Sequence, residues 1–310
     1  MKYCFDDKII MASYSLTRDS NLILDSIYKK KSEQTNRNSF YMYCSGTSIL
    51  GWWSELSRSL KDVYSRDIYF VKPFYYNISD KLDADHNCLF NKCWDEFESG
   101  LGLNDSYYII HVPATGLRIL NRINSSSLNY IFCGGTTCYY IYKKSNTNMV
   151  NFNKDVLIKE LNQFERIIYK DILLDIAFES FSNYISQYHI SPQTRTKAPL
   201  IYREWIRSNL ADENILIICA FYKNQPVGFS TISLIGKAYE ILLSAVKREF
   251  RSKGLYREIM RFTIENYLKI HTPIIISTQI DNYSVQRVWS YHGFIPYYTF
   301  YNFHIGVLES

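Results

Sequence analysis

The densest run of chemistry-bearing residues is EILLSAVKREFRSKGLYREIM, Glu240 to Met260. An apolar strand pattern there runs directly into a basic, glycine-containing turn that opens a long helical pattern. The free N–H groups at such a helix start suit a diphosphate. Arg251 and Lys253 bracket the turn and can neutralise phosphate charge, while Gly254 lets the backbone approach a ligand with no Cβ in the way. A plain helix start with solvated basic residues has the same appearance. A second run, TQIDNYSVQRVWSYHGF, Thr278 to Phe294, reads as strand, Asn282, short helix and a final Gly-Phe. Asn282 suits a helix cap. Gly293 suits a left-handed helix stop, with Phe294 the core contact after it.

The elements around these runs follow from periodicity. Asp171 to Phe181 and Lys197 to Leu210 carry apolar residues at helical spacing. Ile215 to Tyr222, Val227 to Leu234 and Tyr239 to Val246 read as three strands of an antiparallel meander, with a polar turn at Lys223 to Pro226 and another at Gly236. The pattern then becomes helix (Gly254 to Ile270), buried strand (Ile274 to Gln279), short helix (Ser284 to Tyr291) and last strand (Thr299 to Val307). A strand, a crossover helix and another strand imply a parallel pair. Upstream, Tyr107 to Val112, Leu128 to Cys133 and Cys138 to Tyr142 look like strands and Gly116 to Ile123 like a helix, an α/β unit without recognisable chemistry. The polar stretch from Lys143 to Asp155 is the expected boundary between an N-terminal α/β domain, 1–150, and a second domain, 155–310. No internal repeat at solenoid spacing is visible.

Composition narrows the function classes. The 310 residues are 47 % hydrophobic and 21 % charged, the balance of a soluble globular protein with room for two domains. A net charge of +5, with Lys and Arg interspersed among Asp and Glu, argues against nucleic acid as a ligand. The seven cysteines, at 4, 44, 88, 93, 133, 138 and 219, include no pair at the short two-residue spacing of a zinc or redox site. They read as reduced core thiols, and no metal is expected. The opening MKYCFDDKII has an acidic pair where a signal peptide carries basic charge, and no stretch approaches eighteen apolar residues. A cytoplasmic protein without membrane insertion is expected. The 28 tyrosines read mainly as compositional bias.

The order strand, Arg251, two residues, Gly254, Leu255, Tyr256 resembles the Arg/Gln-x-x-Gly-x-Gly/Ala pyrophosphate loop of GNAT acetyltransferases. Tyr256 stands where that pattern usually has Gly or Ala. The resemblance implies an α/β GNAT fold, a mixed and mostly antiparallel sheet with a splayed parallel pair, and acetyl-CoA as cosubstrate. It further implies that the main chain of Ala245 and Val246 bonds the pantetheine arm. The turn of Arg251, Ser252, Lys253, Gly254, Leu255 and Tyr256 would hold the diphosphate, with Asn282 and Trp289 also contacting the cofactor. Within the superfamily, Ser182 to Leu210 is similar to the corresponding segment of TDP-fucosamine-type nucleotide-sugar N-acetyltransferases, as are Phe303-His304 and, weakly, Leu24-Asp25-Ser26. That likeness makes His189, Tyr202 and His304 candidate sugar contacts and an N-terminal α/β domain the substrate side. A homodimer is allowed.

Acetyl transfer needs an uncharged amine, an acceptor for its proton and a donor for the leaving thiolate. Many GNAT enzymes place a donor Tyr seven residues after the Asn that corresponds to Asn282; here that residue is Trp289, whose indole N–H is no practical acid. Tyr291 falls on the opposite helix face. Glu240 stands where the histone-acetylating branch has its general base. The sequence thus points to an N-acetyltransferase acting on a nucleotide-linked amino-deoxysugar. Rival readings are a GNAT acting on a protein, peptide or polyamine amine, or a non-catalytic CoA-binding module.

Overall fold

The computed structural model describes residues 38–45, 48–77, 90–91, 94–95, 97–101, 106–143, 155–269 and 272–308. The expected boundary at 143–155 and the motif at Leu24 fall almost wholly outside them.

From Lys170 onward the long elements of the second half are those its periodicity predicts, while Val156–Glu160, Gln163–Ile168 and Gln187–Ile190 are additions. Strands β6 (Val156–Glu160), β7 (Ile215–Tyr222), β8 (Gln225–Ile235) and β9 (Ala238–Val246) form an antiparallel meander. Lys223 and Asn224 make the β7–β8 hairpin, both at positive φ (48° and 61°), the backbone that a two-residue hairpin demands. Helices α4 (Lys170–Ser182) and α6 (Ala198–Ala211) pack on one face, with Leu173, Ile176, Ala177, Ile201 and Ile206 buried against Ile217, Phe229 and Leu243. Helix α7 (Leu255–Tyr267) crosses the other face and returns the chain to β10 (Ile274–Gln279), parallel to β9. Helix α8 (Tyr283–Tyr291) and β11 (Ile295–Ile305) follow. A short α3 (Gln163–Ile168), with an Asn162/Glu165 capping box, precedes α4, and α5 (Gln187–Ile190) lies between α4 and α6.

The first half repeats much of this plan. Strands β1 (Asn38–Ser45), β2 (Ser48–Leu56) and β3 (Asp67–Asn77) form a meander, interrupted by α1 (Arg58–Tyr64). Strand β4 (Ser106–Pro113) runs parallel to β3, with Phe90, Trp94 and Phe97 buried beneath the pair. Helix α2 (Leu117–Ser125) and β5 (Ile131–Ile141) complete it. Helices α2 and α8 each have nine residues, and strands β5 and β11 each have eleven. All eleven strands form one sheet in the order β1-β2-β3-β4-β11-β5-β10-β9-β8-β7-β6. Read outward from the central β11–β5 pair, the sequence β4, β3, β2, β1 on one side mirrors β10, β9, β8, β7 on the other. The halves are therefore two copies of one topology that have exchanged their last strands.

This exchange was not expected from sequence. The segments Leu128 to Cys133 and Cys138 to Tyr142, taken there as two strands, overlap the two ends of the single β5, Ile131–Ile141. The intervening Gly134, at φ 86°, bends the strand without ending it. Strand β11 likewise begins at Ile295, four residues before the expected start. Among the described residues no helix is long and apolar enough to cross a membrane. Cys133, Cys138 and Cys219 form no disulfide; burial pushes the pKa of Cys133 and of Cys219 up to about 12, and Cys138 is half-buried.

A buried polar chain fastens the exchanged β11. His304 is fully buried, and its Nδ1 lies 2.9 Å from Tyr107 Oη on β4; Tyr107 Oη lies 2.9 Å from Ser191 Oγ; His304 Nε2 lies 3.4 Å from Gln187 Oε1. With Gln187 accepting, the ring carries its proton on Nε2 and accepts at Nδ1 from Tyr107, which accepts from Ser191. Burial drives the His304 pKa down to about 3. A free His titrates near 6.5, so between that pH and about 3 the unfolded chain binds a proton that the folded one refuses. Stability is complete above pH 6.5 and falls with acid through that window, by up to about 1.4 kcal/mol per pH unit for this proton. His304→Gln should flatten the pH dependence of the unfolding free energy between roughly pH 6 and 4 by about one proton. An unchanged slope in denaturant titrations would contradict this assignment.

Candidate active site

Strands β9 and β10 pair at three positions, Tyr239 with Ile274, Glu240 with Ile275 and Ile241 with Ile276. Beyond these, β9 continues to Val246 and β10 to Gln279 without pairing to each other. Two features hold them apart. The β8–β9 register jumps from Ile232–Ile241 to Thr231–Leu243, so Leu242 is an extra residue, and a bulge of this kind bends and twists its strand. Strand β10 is meanwhile tied to β5 along its whole length. The result is a wedge whose walls present main-chain N–H and C=O groups that need a partner from water or ligand.

The mouth of the wedge is the turn from β9 into α7. Ser252 (φ 59°) and Gly254 (φ 81°) are both left-handed, and a Gly at the second of these avoids the Cβ penalty. The Glu258 N–H bonds the Gly254 carbonyl at 3.2 Å, so the N–H groups of Leu255, Tyr256 and Arg257 lie in the first turn and point out of the helix start. Arg248, Arg251, Ser252 and Lys253 are exposed around it. Three cations around a helix start favour an anion, with the carboxylate of Glu249 also exposed beside them. Arg251 also ties the wedge to α4: its Nε donates to the Val246 carbonyl at 3.0 Å and its Nη2 to the Ser180 carbonyl at 3.4 Å. Ser180 Oγ donates to the same Val246 oxygen at 3.2 Å. Lys253 lies over the Phe250 ring, 5.6 Å from its centre.

Inside, side-chain hydroxyls gather. Asn282 sits at the N-cap of α8, yet its side chain makes no cap bond. Its Nδ2 turns instead to Thr278 Oγ1 at 2.9 Å and to Tyr184 Oη at 3.4 Å. Trp289, 2 % exposed, packs edge-on against Tyr139 and donates its indole N–H to Tyr256 Oη at 2.8 Å. On β9, Ser244 Oγ lies 2.9 Å from Ser230 Oγ, and Ser244 also hydrogen-bonds Tyr256. Burial pushes the Tyr256 phenol up to about 12, with the bonds to Trp289 and Ser244 pulling the other way. Burial raises Tyr184 too, opposed by its bonds to Thr278 and Asn282. Both phenols carry their protons at neutral pH.

The structure thus brings Ala245, Val246, the Arg251–Tyr256 turn, Asn282 and Trp289 around one wedge. Glu240 lies half-buried in the paired part of β9, level with Ile275 and just before the strands part. Gly293, at φ 90°, stops α8, and Phe294 is buried after it. Tyr291 is partly exposed, with the Arg257 guanidinium 4.6 Å from its ring centre.

The three proposed sugar contacts lie near one another, His189 6.4 Å from Tyr202 between ring centres and both Tyr202 and His304 beside Tyr188, but mostly inside the core. His304 is fully buried in the β4–β11 seam, and Tyr202 is 5 % exposed, stacked on Phe181 at 3.9 Å between ring centres. Both occupy the helix-face core because their ring area is filled by neighbours, which leaves no surface for an acceptor. His189 is half-buried, its Nδ1 2.9 Å from Ser186 Oγ. Sequence reading also passed over Tyr184, Thr278 and Ser244. A signal existed for Thr278, which lies four residues before Asn282, but none for Tyr184, which reaches the wedge from the other side of the fold.

Residues 175–294 match the acetyltransferase (GNAT) family. Among curated proteins none matches the sequence. Among solved structures, the fold resembles a GCN5-related N-acetyltransferase from Sphaerobacter thermophilus, with 10 % identity, a TM-score of 0.56, and 98 % of this chain and 92 % of that one covered. A GCN5-related N-acetyltransferase from Kribbella flavida is similar at 10 % identity and a TM-score of 0.51, covering 92 % and 95 %. So is a functionally unknown conserved protein from Staphylococcus epidermidis, at 15 % identity and a TM-score of 0.52, covering 86 % and 94 %. At these identities the structures share the fold across both halves. The family match falls on the wedge, its basic helix start and its Asn282 helix, and residues 175–294 are accordingly a GNAT acetyltransferase domain, an acyl-CoA-dependent N-acyltransferase.

Proposed function

We propose that the protein transfers an acetyl group from acetyl-CoA to the primary amine of a small molecule, with the thioester lodged in the β9–β10 wedge. The observation that supports this most is the end of β9–β10 pairing after Ile241 and Ile276, directly in front of the Gly254 helix start. An extended pantetheine arm supplies the main-chain partners both walls lack, in the manner of an added strand. The diphosphate meets Arg251, Lys253 and the first N–H groups of α7.

Glu240 is the proposed acceptor of the amine proton. The finer reading, a nucleotide-linked amino-deoxysugar as acceptor, rests on the likeness of Ser182 to Leu210 alone once Tyr202 and His304 are placed in the core. Of the three candidate contacts, His189 retains exposed surface.

Calorimetric titration with CoA should show binding, and Arg251→Ala should weaken it about tenfold or more through the lost charge-assisted contact. Absence of CoA binding by the folded wild-type chain would contradict the reading. Thiol release from acetyl-CoA, followed across nucleotide-linked amino sugars, polyamines and peptide amines, should single out one acceptor class. With that acceptor, Glu240→Gln should lower kcat/KM by about 10²-fold or more and leave CoA affinity unchanged. Undiminished turnover would remove Glu240 from the proton path.

A further inference from the structure

The residue where a donor phenol is usual in this fold is Trp289, and the search for a replacement leads to the residue it touches. Trp289 Nε1 donates to Tyr256 Oη at 2.8 Å. An indole is a donor only, so the phenol oxygen accepts in this contact and its own hydrogen must point elsewhere. Ser244 on β9 is its other hydrogen-bond partner, and the charge it would carry is also felt by Tyr184, from the segment after α4, whose hydroxyl meets Thr278 and Asn282. Ser244 lies on the unpaired stretch of β9 and Thr278 on the unpaired stretch of β10. The Tyr256 hydroxyl, on a side chain delivered by the first turn of α7, is thus held between Ser244 on the β9 wall and Trp289 of α8, the helix that follows β10.

We propose that Tyr256 is the proton donor to the departing CoA sulfur and that Trp289 is its positioning residue, a role that rests on the acetyl-donor reading above. The amine nitrogen forms its bond to the thioester carbonyl carbon, the C–S bond breaks, and the electron pair stays on sulfur. The phenol O–H proton passes to that sulfur, giving the free thiol. The phenolate oxygen, held by the Trp289 N–H, is reprotonated in the same turnover by the proton that the amine first passes to Glu240. No net proton is gained or lost by the protein. The raised phenol pKa keeps the donor loaded at neutral pH. This arrangement explains two departures from the family pattern together: a large aromatic at the last position of the loop motif, and an indole where a phenol is usual.

The test needs no acceptor. CoA bound to the full chain is titrated from about pH 6 to 10, a range that spans ordinary thiols. Thiolate formation is followed by its ultraviolet absorbance, with desulfo-CoA as the blank. In the wild type the bound thiol should titrate below free CoA, because Tyr256 donates to the thiolate. Tyr256→Phe should raise that midpoint by about one unit or more, and Trp289→Phe, which keeps the phenol but frees it, should raise it by less. Each variant is checked for wild-type melting and CoA affinity; should Tyr256→Phe fail to fold, Trp289→Phe carries the same prediction. Superimposable titrations of wild type and both variants would overturn the assignment. A shift seen with Tyr184→Phe in place of Tyr256→Phe would overturn it in favour of the other phenol. Loss of CoA binding by the wild type would instead strike the acetyl-donor reading itself.

Discussion

Strand β5 belongs to the first half by chain order and to the second by hydrogen bonding, and the wedge depends on that exchange. A parallel pair that parts after three positions leaves β10 held from one side only. That side is β5, paired antiparallel from Ile141 opposite Ile274 to Thr136 opposite Gln279. Without it, β10 would be an edge strand free to close on β9 or to recruit another chain. The first half therefore supplies the wall that keeps the wedge open, and the second half returns β11 to pair with both β4 and β5. The His304–Tyr107–Ser191 chain then fixes β11 to the first half and to the α5 segment at once.

The two copies differ where chemistry is concerned. Strand β3 also parts from β4, after Val71 and Ile110. By position, Asn282 corresponds to Gly116 and Trp289 to Ile123, each at the same point in its nine-residue helix. The connection leaving β9 carries Lys247, Arg248, Arg251 and Lys253; the connection leaving β3 carries Asp80, Asp83 and Asp85 against Lys81. Three carboxylates repel a diphosphate. The first copy shares the topology, and the sequence of its connection differs in charge from that of the second.

What the sequence made legible follows the range of the interactions involved. Helix starts, hairpins and the phosphate turn are local, and the Lys223-Asn224 hairpin, Gly254 and the α7–β10–α8 run could be read from neighbouring residues. The strand exchange is set by pairings between residues more than a hundred positions apart, such as Tyr140 with Ile295, and no local pattern encodes them. The same limit explains the site. The loop residues were found by motif, whereas Tyr184 reaches Asn282 across 98 positions and Tyr256 meets Trp289 across 33. Tyr202 and His304 were misplaced because aromatic spacing looks alike in a core and in a pocket.

The central claim, that one of two topologically equivalent strand gaps binds the acetyl donor, is tested most directly by amide hydrogen exchange with and without CoA. The account predicts new protection at Leu242 to Val246, at Ser252 to Glu258 and at Ser277 to Asn282, with no change at 72–77 or at His111 to Gly116. Protection at the β3–β4 gap, or none at the β9–β10 gap when CoA is bound, would contradict it.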